Sequence, residues 1–323
     1  MKLKNWFALE KKPHKGLLLV EWATMAYIAF TLILITILST KMHHPDILIG
    51  ERVRVIAMTF ALWLVYRIVP CRVTRMVRVA AQAALLGMWY PDTYELNRVL
   101  PNLDHVFAAW DQWLCGFQPA LLFCEKLPGV VWSEAFNMGY FSYYPMIAFT
   151  LIYYLGWHYK EFERCAFVVM ASFFTYFVIF DLLPVVGPTF YYKAVGVKQI
   201  VAGVFPDVHY YFNTHQECLP TPGNAHGVFY NLVEIMKGAG ERPTAAFPSS
   251  HVGVSTVLML LVAHTRKWKL LLGMLPFYVL LCCATVYIQA HYLVDALAGL
   301  VTGVVIYLVL MLISKKTILQ TKA

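Results

Sequence analysis

Long apolar runs separated by short polar clusters dominate this chain. They fall at 17–40, 53–70, 131–155, 163–186, 248–264, 269–288 and 291–313. A helix needs roughly 20 mainly apolar residues to cross the hydrocarbon of a bilayer, so each run predicts a spanning helix. A shorter run at 76–91, with Arg75 and Arg78 at its start, is a weaker candidate. The stretch 103–124 mixes Asp104, His105, Asp111 and Gln112 with aromatics, the pattern of an amphipathic helix lying at the membrane interface. Between 187 and 247 the apolar pattern gives way to Pro, Gly, His, Asn and Tyr, the longest polar stretch of the chain.

Composition agrees with this pattern. Of 323 residues, 60% are hydrophobic and 14% charged, whereas soluble domains are about half apolar and a quarter charged. The first apolar run, 16–39, is too long for the core of a cleavable signal peptide. The net charge of +8 does not point to nucleic acid, because the cations cluster between apolar runs. Lys2, Lys4, Lys11, Lys12 and Lys15 precede the first run. Arg72, Arg75 and Arg78 follow the second, Lys160 and Arg164 the fourth loop, and Arg266, Lys267 and Lys269 a later one, with Lys315, Lys316 and Lys322 at the end. The excess of Lys and Arg on cytoplasmic loops puts all of these inside, which gives about eight spans with both termini cytoplasmic if 76–91 crosses, and six or seven if it only dips into the bilayer. The expected fold class is an all-α, polytopic transmembrane helix bundle, with loop 187–247 on the outer side. Four of the seven cysteines (Cys71, Cys165, Cys282, Cys283) sit in apolar runs and read as small core residues. Cys115, Cys124 and Cys218 lie in loop-like stretches, and no metal-type spacing occurs.

Topology changes how two short segments read. In Glu241-Arg242-Pro243-Thr244-Ala245-Ala246-Phe247-Pro248-Ser249-Ser250-His251, Pro248 suits the start of a helix. Ser249 and Ser250 then offer hydroxyls and free amides at a helix N-terminus, which favours phosphate, and Arg242 adds a forked cationic donor. His251 is within reach of the same anion. In His291-Tyr292-Leu293-Val294-Asp295, positions i and i+4 share a helix face, so Asp295 can orient the His291 ring and leave its other nitrogen as nucleophile or base. Both segments fall at the outer side. Two histidines and a carboxylate also admit a metal site, although serines and an arginine suit an anion better. Glu21, Arg67 and Asp181 inside spans admit a transporter path, but no matching pair of broken helices is evident; Glu21 and Asp181 also read as hydrogen-bonded groups inside the bundle. His209, His215 and His226 read as loop polar residues, and Tyr140, Tyr143, Tyr144, Tyr191 and Tyr192 as interface aromatics.

Together, Arg242-Pro243, Pro248-Ser249-Ser250-His251 and His291-x-x-x-Asp295 resemble the motifs of the type 2 phosphatidic acid phosphatase superfamily. The flanking Ala246–Gly253 and His291–Gly299 segments, Asp111-Gln112-Trp113-Leu114-Cys115-Gly116-Phe117-Gln118-Pro119 and Leu183–Pro188 are similar to its inositol phosphorylceramide synthase branch, over roughly 100–310. The apolar runs give an N-terminal part (1–75) with two transmembrane helices, which the resemblance does not cover; the resemblance implies a catalytic transmembrane domain (76–323) built on a six-helix core. It implies His291 as nucleophile through a phospho-histidine, Asp295 as its orienting group and His251 as general acid and base. Arg242, Ser249 and Ser250 would bind phosphate, with Lys237 as helper, and no metal or other cofactor would be needed. The implied activity is transfer of a phospho-head group from a phosphatidylinositol-like donor to a ceramide-like alcohol. The alternative is a lipid phosphatase with water as acceptor. Two departures bear on that choice. Ile235 stands where the family lysine belongs, and Ala284-Thr285 replaces the family Ser-Arg. Fewer cations favour a singly charged phosphodiester over a monoester.

Overall fold

No water is present inside a bilayer to bond exposed backbone groups, so apolar runs in lipid must satisfy their own N–H and C=O groups as helices. The computed structural model describes residues 6–320; its regular elements are helices, joined by loops and turns, with an isolated antiparallel bridge between Leu9 and Cys71. Lys2, Lys4 and Lys322 lie outside the described residues, as does the side chain of Lys316. The helices are α1 (Leu19–Leu38), α2 (Pro45–Ile68), α3 (Arg72–Ala84), α4 (Leu86–Asn97), α5 (Asp104–Cys115), α6 (Pro119–Lys126), α7 (Val130–Phe141), α8 (Tyr143–Trp157), α9 (Tyr159–Leu182), α10 (Pro188–Val195), α11 (Val197–Val201), α12 (Val228–Gly240), α13 (Ser250–His264), α14 (Trp268–Tyr287) and α15 (Leu293–Gln320). Segments Leu19–Lys41, Tyr159–Leu182, Trp268–Tyr287 and Leu293–Lys315 are each long and apolar enough to cross a membrane.

The expected runs reappear with instructive shifts. Helix α2 begins well before the run at 53–70, because Pro45 starts it and a buried partner neutralises Arg52. The run 131–155 is two helices, α7 and α8, broken at Ser142, whose hydroxyl donates to Gly139 O at 2.6 Å. The stretch 103–124 also divides: α5 ends on Gly116 in the left-handed region and α6 starts at Pro119. The weak run at 76–91 falls in α3 and α4. Arg75, in α3, pairs with Glu163 near the start of α9, and Asn97 at the end of α4 donates to Phe180 O near the end of α9. The α3–α4 pair therefore runs the length of α9. Loop 187–247 is not irregular throughout but carries α10, α11 and α12.

Helices α9 and α13 are buried along most of their surface and form the centre. Helix α15 lies against α13 backbone to backbone. A Cβ on Gly299 would stand 2.5 Å from Ser249 O, and one on Gly303 2.6 Å from Gly253 O, so this small-xxx-small stripe is what permits the contact. Around α9, helices α1 to α4 bury their charges in pairs. Glu21 and Arg78 form a fully buried ion pair. Arg52 reaches Asp92 at 2.5 Å, and the Tyr27 hydroxyl donates to Asp181 Oδ2 at 3.1 Å. The intramembrane charges read as a candidate transport path are therefore tied into the bundle, apart from Arg67, which lies over the Trp63 ring.

The two ends of the bundle differ. At one, Glu10 bonds Tyr66 and Arg75, and Arg72 lies over Tyr159. At the other, α4, α5 and the ends of α9 and α14 meet the segment 242–251, which leads into α13.

Candidate active site

Ser249 caps α13, its Oγ accepting from Val252 N at 3.4 Å, and Ser250 opens the helix. That puts His251 in the first helical turn. His291 lies in the turn between α14 and α15, its own N–H held by Thr285 O at 3.0 Å. The two imidazoles stand edge to face, 5.8 Å between ring centroids. The Asp295 backbone carbonyl accepts from Ser249 N at 3.0 Å, joining the starts of α13 and α15. Segments distant in sequence thus bring His251, His291, Asp295, Ser249 and Ser250 together.

Orientation of His291 comes from a source that its i+4 spacing does not reveal. Its Nδ1 lies 2.8 Å from Ala246 O. A carbonyl can only accept, so Nδ1 carries the proton and the Nε2 lone pair of the neutral ring is free. Asp295 Oδ2 is 3.7 Å from Nδ1, beyond a hydrogen bond. That oxygen accepts instead from Tyr292 N at 2.8 Å, while Oδ1 is buried without a partner. The expected carboxylate–imidazole bond is thus replaced by a backbone one, because the turn at Tyr292 brings an amide closer to Asp295 than the ring. Burial pushes the His291 imidazolium down to about 4, against an upward pull from the Ala246 bond. The ring is 4% exposed.

His251 packs between Tyr140 (4.6 Å, nearly parallel) and Tyr143 (4.5 Å), and its Nδ1 has no hydrogen-bond partner. These tyrosines, expected at the interface, are buried here, as are Tyr191 and Tyr192; Tyr144 is exposed. The cations expected at the phosphate stand apart. Arg242 is exposed and donates to Glu241 O at 3.1 Å, touching neither histidine. Lys237 donates to Thr221 Oγ1 at 2.7 Å and lies 3.9 Å from Glu241. Both departures from the family pattern are structural as well: Ile235 points outward, and Ala284 and Thr285 are fully buried, with Thr285 supporting His291 through its carbonyl.

Two acidic residues that composition left unremarkable shape the site. Asp111 accepts from Leu293 N and Val294 N, both at 2.9 Å, and so caps α15. Asp104 accepts from Val186 N, Gly187 N, Asn102 Nδ2 and the Tyr292 hydroxyl. Burial lifts the Asp111 carboxyl to about 6 and raises that of Asp104, with the donated bonds opposing in each case. Gly187 has φ +92°, and a Cβ there would fall 2.5 Å from Ala290 O. That close approach explains the Gly-Pro before α10.

An apolar cavity of 660 Å³ lies between α6, α13, α14 and α15, with neither His251 nor His291 on its walls. Val252, Val286, Leu293 and Leu297 line it, and Lys126 is the one charged residue on its walls. Among the described residues no group of three or more His, Cys, Asp and Glu side chains is arranged to hold a metal ion. All seven cysteines are free.

A family comparison covers this region: the model of the PAP2 superfamily matches residues 105–309. The chain belongs to the PAP2 superfamily. The matched span takes in both histidine segments, Asp111 and the walls of the cavity, while Asp104 and its partner Asn102 fall just outside it. Neither a curated protein nor a solved structure matches the chain. Membership in the PAP2 superfamily and the apolar helices make the protein an integral membrane enzyme of the lipid phosphatase and phosphotransferase type.

Proposed function

We propose that the protein is a lipid phosphotransferase that moves a phospho-head group, phosphoinositol in the first instance, from a glycerophospholipid to a ceramide-like alcohol. The observation that carries this reading is the His291 ring. Its Nδ1 is occupied by Ala246 O, so Nε2 keeps a bare lone pair in a site where, among the described residues, no cation lies on either histidine. His291 Nε2 attacks phosphorus and forms a phospho-histidine while His251 protonates the departing alcohol. The incoming alcohol, deprotonated by His251, then takes the phosphoryl group and restores free His291. The Ser250 amide and the hydroxyls of Ser249 and Ser250 at the start of α13 hold the phosphoryl oxygens, the Ser249 amide being taken by Asp295 O. Arg242, exposed and bonded only to its neighbour's carbonyl, is free to swing toward the phosphate, with Lys237 behind it. A phosphodiester carries one negative charge where a monoester carries nearly two, and the scarcity of cations supports the diester. The cavity is within the 300–1,000 Å³ range of ligand sites and is apolar enough for a lipid chain.

The same reading sets the topology. The end bearing Glu10, Arg72 and Arg75 is cytoplasmic by the positive-inside rule. The histidines, at the opposite end, then face the periplasm or an organelle lumen, with about eight spans and both termini inside. The deciding experiment incubates purified protein with labelled phosphatidylinositol, with and without ceramide. Ceramide-dependent labelled phosphoceramide supports transfer. Release of inorganic phosphate from phosphatidic acid, with no transfer, would establish a phosphatase instead.

A further inference from the structure

Asp104 begins α5 outside every catalytic motif, is fully buried, and has no cationic partner. Its bonds lead to His291 by two routes, one through the acceptor of its ring and one through the next residue in the chain. By the first route, Oδ2 accepts from Val186 N at 2.7 Å and Oδ1 from Gly187 N at 2.8 Å. Those two amides fix the turn whose Val185 O accepts from Ala246 N at 2.9 Å, and Ala246 O is the acceptor of His291 Nδ1. By the second, Oδ1 accepts from the hydroxyl of Tyr292, the residue next to His291, at 2.9 Å. The hydrogen bonds close a circuit: Asp104, the 185–187 turn, Ala246, His291, Tyr292 and back to Asp104. About two turns further along α5, Asp111 grips Leu293 N and Val294 N. A stiff helix therefore holds the His291 turn from beneath.

We infer that Asp104 is a positioning residue for His291: it holds Ala246 O where it selects the Nδ1-protonated tautomer and leaves Nε2 bare. The inference rests on the reading of His291 as nucleophile. The physical ground is that a neutral imidazole in a buried site has two tautomers, and only a fixed acceptor at one nitrogen separates them. Ala246 O is such an acceptor, but a loop carbonyl has no rigidity of its own. Asp104 supplies it by accepting from two consecutive amides of the 185–187 turn, whose Val185 carbonyl in turn holds the Ala246 amide. An Asn at 104 presents an amide NH₂ to at least one of these N–H groups, two donors facing each other, so the turn must move.

The test uses the full-length protein in detergent micelles. ¹⁵N-histidine spectra of the wild type are expected to show one neutral ring with protonated Nδ1 and bare Nε2, absent from His291→Ala. In Asp104→Asn that ring gains the Nε2-protonated form. Transfer from labelled phosphatidylinositol to ceramide loses about 10²-fold in kcat with KM little changed, the scale expected for misplacing a reacting group by about an ångström. The acid limb of the pH–rate profile also moves to lower pH, because the Ala246 bond that favours the imidazolium is weakened. A fold-only role would lower the yield of active protein without altering tautomer or pH profile. An unchanged tautomer and kcat in folded Asp104→Asn overturns the inference. If Asp104→Asn does not fold, Tyr292→Phe, which deletes one hydroxyl of the circuit, decides: a smaller shift in the same direction supports positioning, and no shift overturns it. Full activity of His291→Ala would refute the nucleophile reading by a separate measurement, since the tautomer is observed without turnover.

Discussion

Buried charge is handled in opposite ways by the helices α1–α4 and by the α5, α13 and α15 region. In the first, each buried arginine meets a carboxylate: Arg78 with Glu21 and Arg52 with Asp92. In the second, Asp104, Asp111 and Asp295 take hydrogen bonds from backbone amides or neutral side chains, and among the described residues no Arg or Lys touches them, His251 or His291. An ion pair neutralises charge at a fixed place and resists change. Backbone amides stabilise an anion without supplying a mobile counter-charge, so a site built on them keeps its polar atoms free for a ligand. The buried, unpartnered Nδ1 of His251 and Oδ1 of Asp295 fit this second arrangement. Unpartnered atoms alone do not mark a site, since Arg52 Nη2 and Arg78 Nη1 are also unbonded. The distinction lies in what stands opposite the charge.

Three experiments bear on this contrast. The largest expected effect is on chemistry: His291→Ala should lower transfer by about 10⁴-fold or more, the scale of removing a nucleophile, while leaving the thermal midpoint near the wild-type value. A retained rate would erase the distinction between the regions. Next comes stability in the paired region. Arg78→Ala strands Glu21 in the bundle and should cost about 3–5 kcal/mol, whereas the double change Glu21→Gln with Arg78→Met should cost far less, because the two desolvation penalties disappear together. Thermal unfolding in one detergent compares the two variants. Equal losses would show that the pair is not coupled.

The smallest effect is the most specific. His291 is depressed to about 4 in the folded protein, with burial as the main cause, against an ordinary imidazole value of about 6.5. Between these values the unfolded chain binds a proton that the folded chain refuses. Stability from this group is therefore full above about pH 6.5 and is lost as pH falls toward 4, at up to about 1.4 kcal/mol per pH unit. The thermal midpoint should drop over that window, and His291→Ala should flatten the drop. Identical slopes would mean that another group carries it.

Much of the molecule could be read before any coordinates. Apolar runs announced the helices because lipid leaves a buried backbone no other solution, and α1, α9, α13 and α14 differ from the expected runs by only a few residues at their ends. The Pro-Ser-Ser-His and His-x-x-x-Asp segments pointed to the candidate site because side chains with acid–base chemistry are rare in such runs. The partner of His291 was not legible. Every residue has a carbonyl, so nothing in the letter Ala at 246 marks it as the acceptor. Asp104 was hidden for a related reason. A carboxylate among aromatics reads as the wet face of an interfacial helix, and here it is the dry face.

By itself the sequence determined the chemistry on offer and the solvent: a lipid-embedded helical chain carrying two histidines and a carboxylate at helix starts. Composition and local periodicity suffice for that, since both act within a few turns of one helix. Only the tertiary structure decided which atoms meet. It gave His291 Nδ1 to a backbone carbonyl 45 residues away in sequence, left Asp295 to an amide, and turned Arg242 outward. Such pairings depend on how α5, α13 and α15 pack, and distances of a few tenths of an ångström separate a hydrogen bond from none.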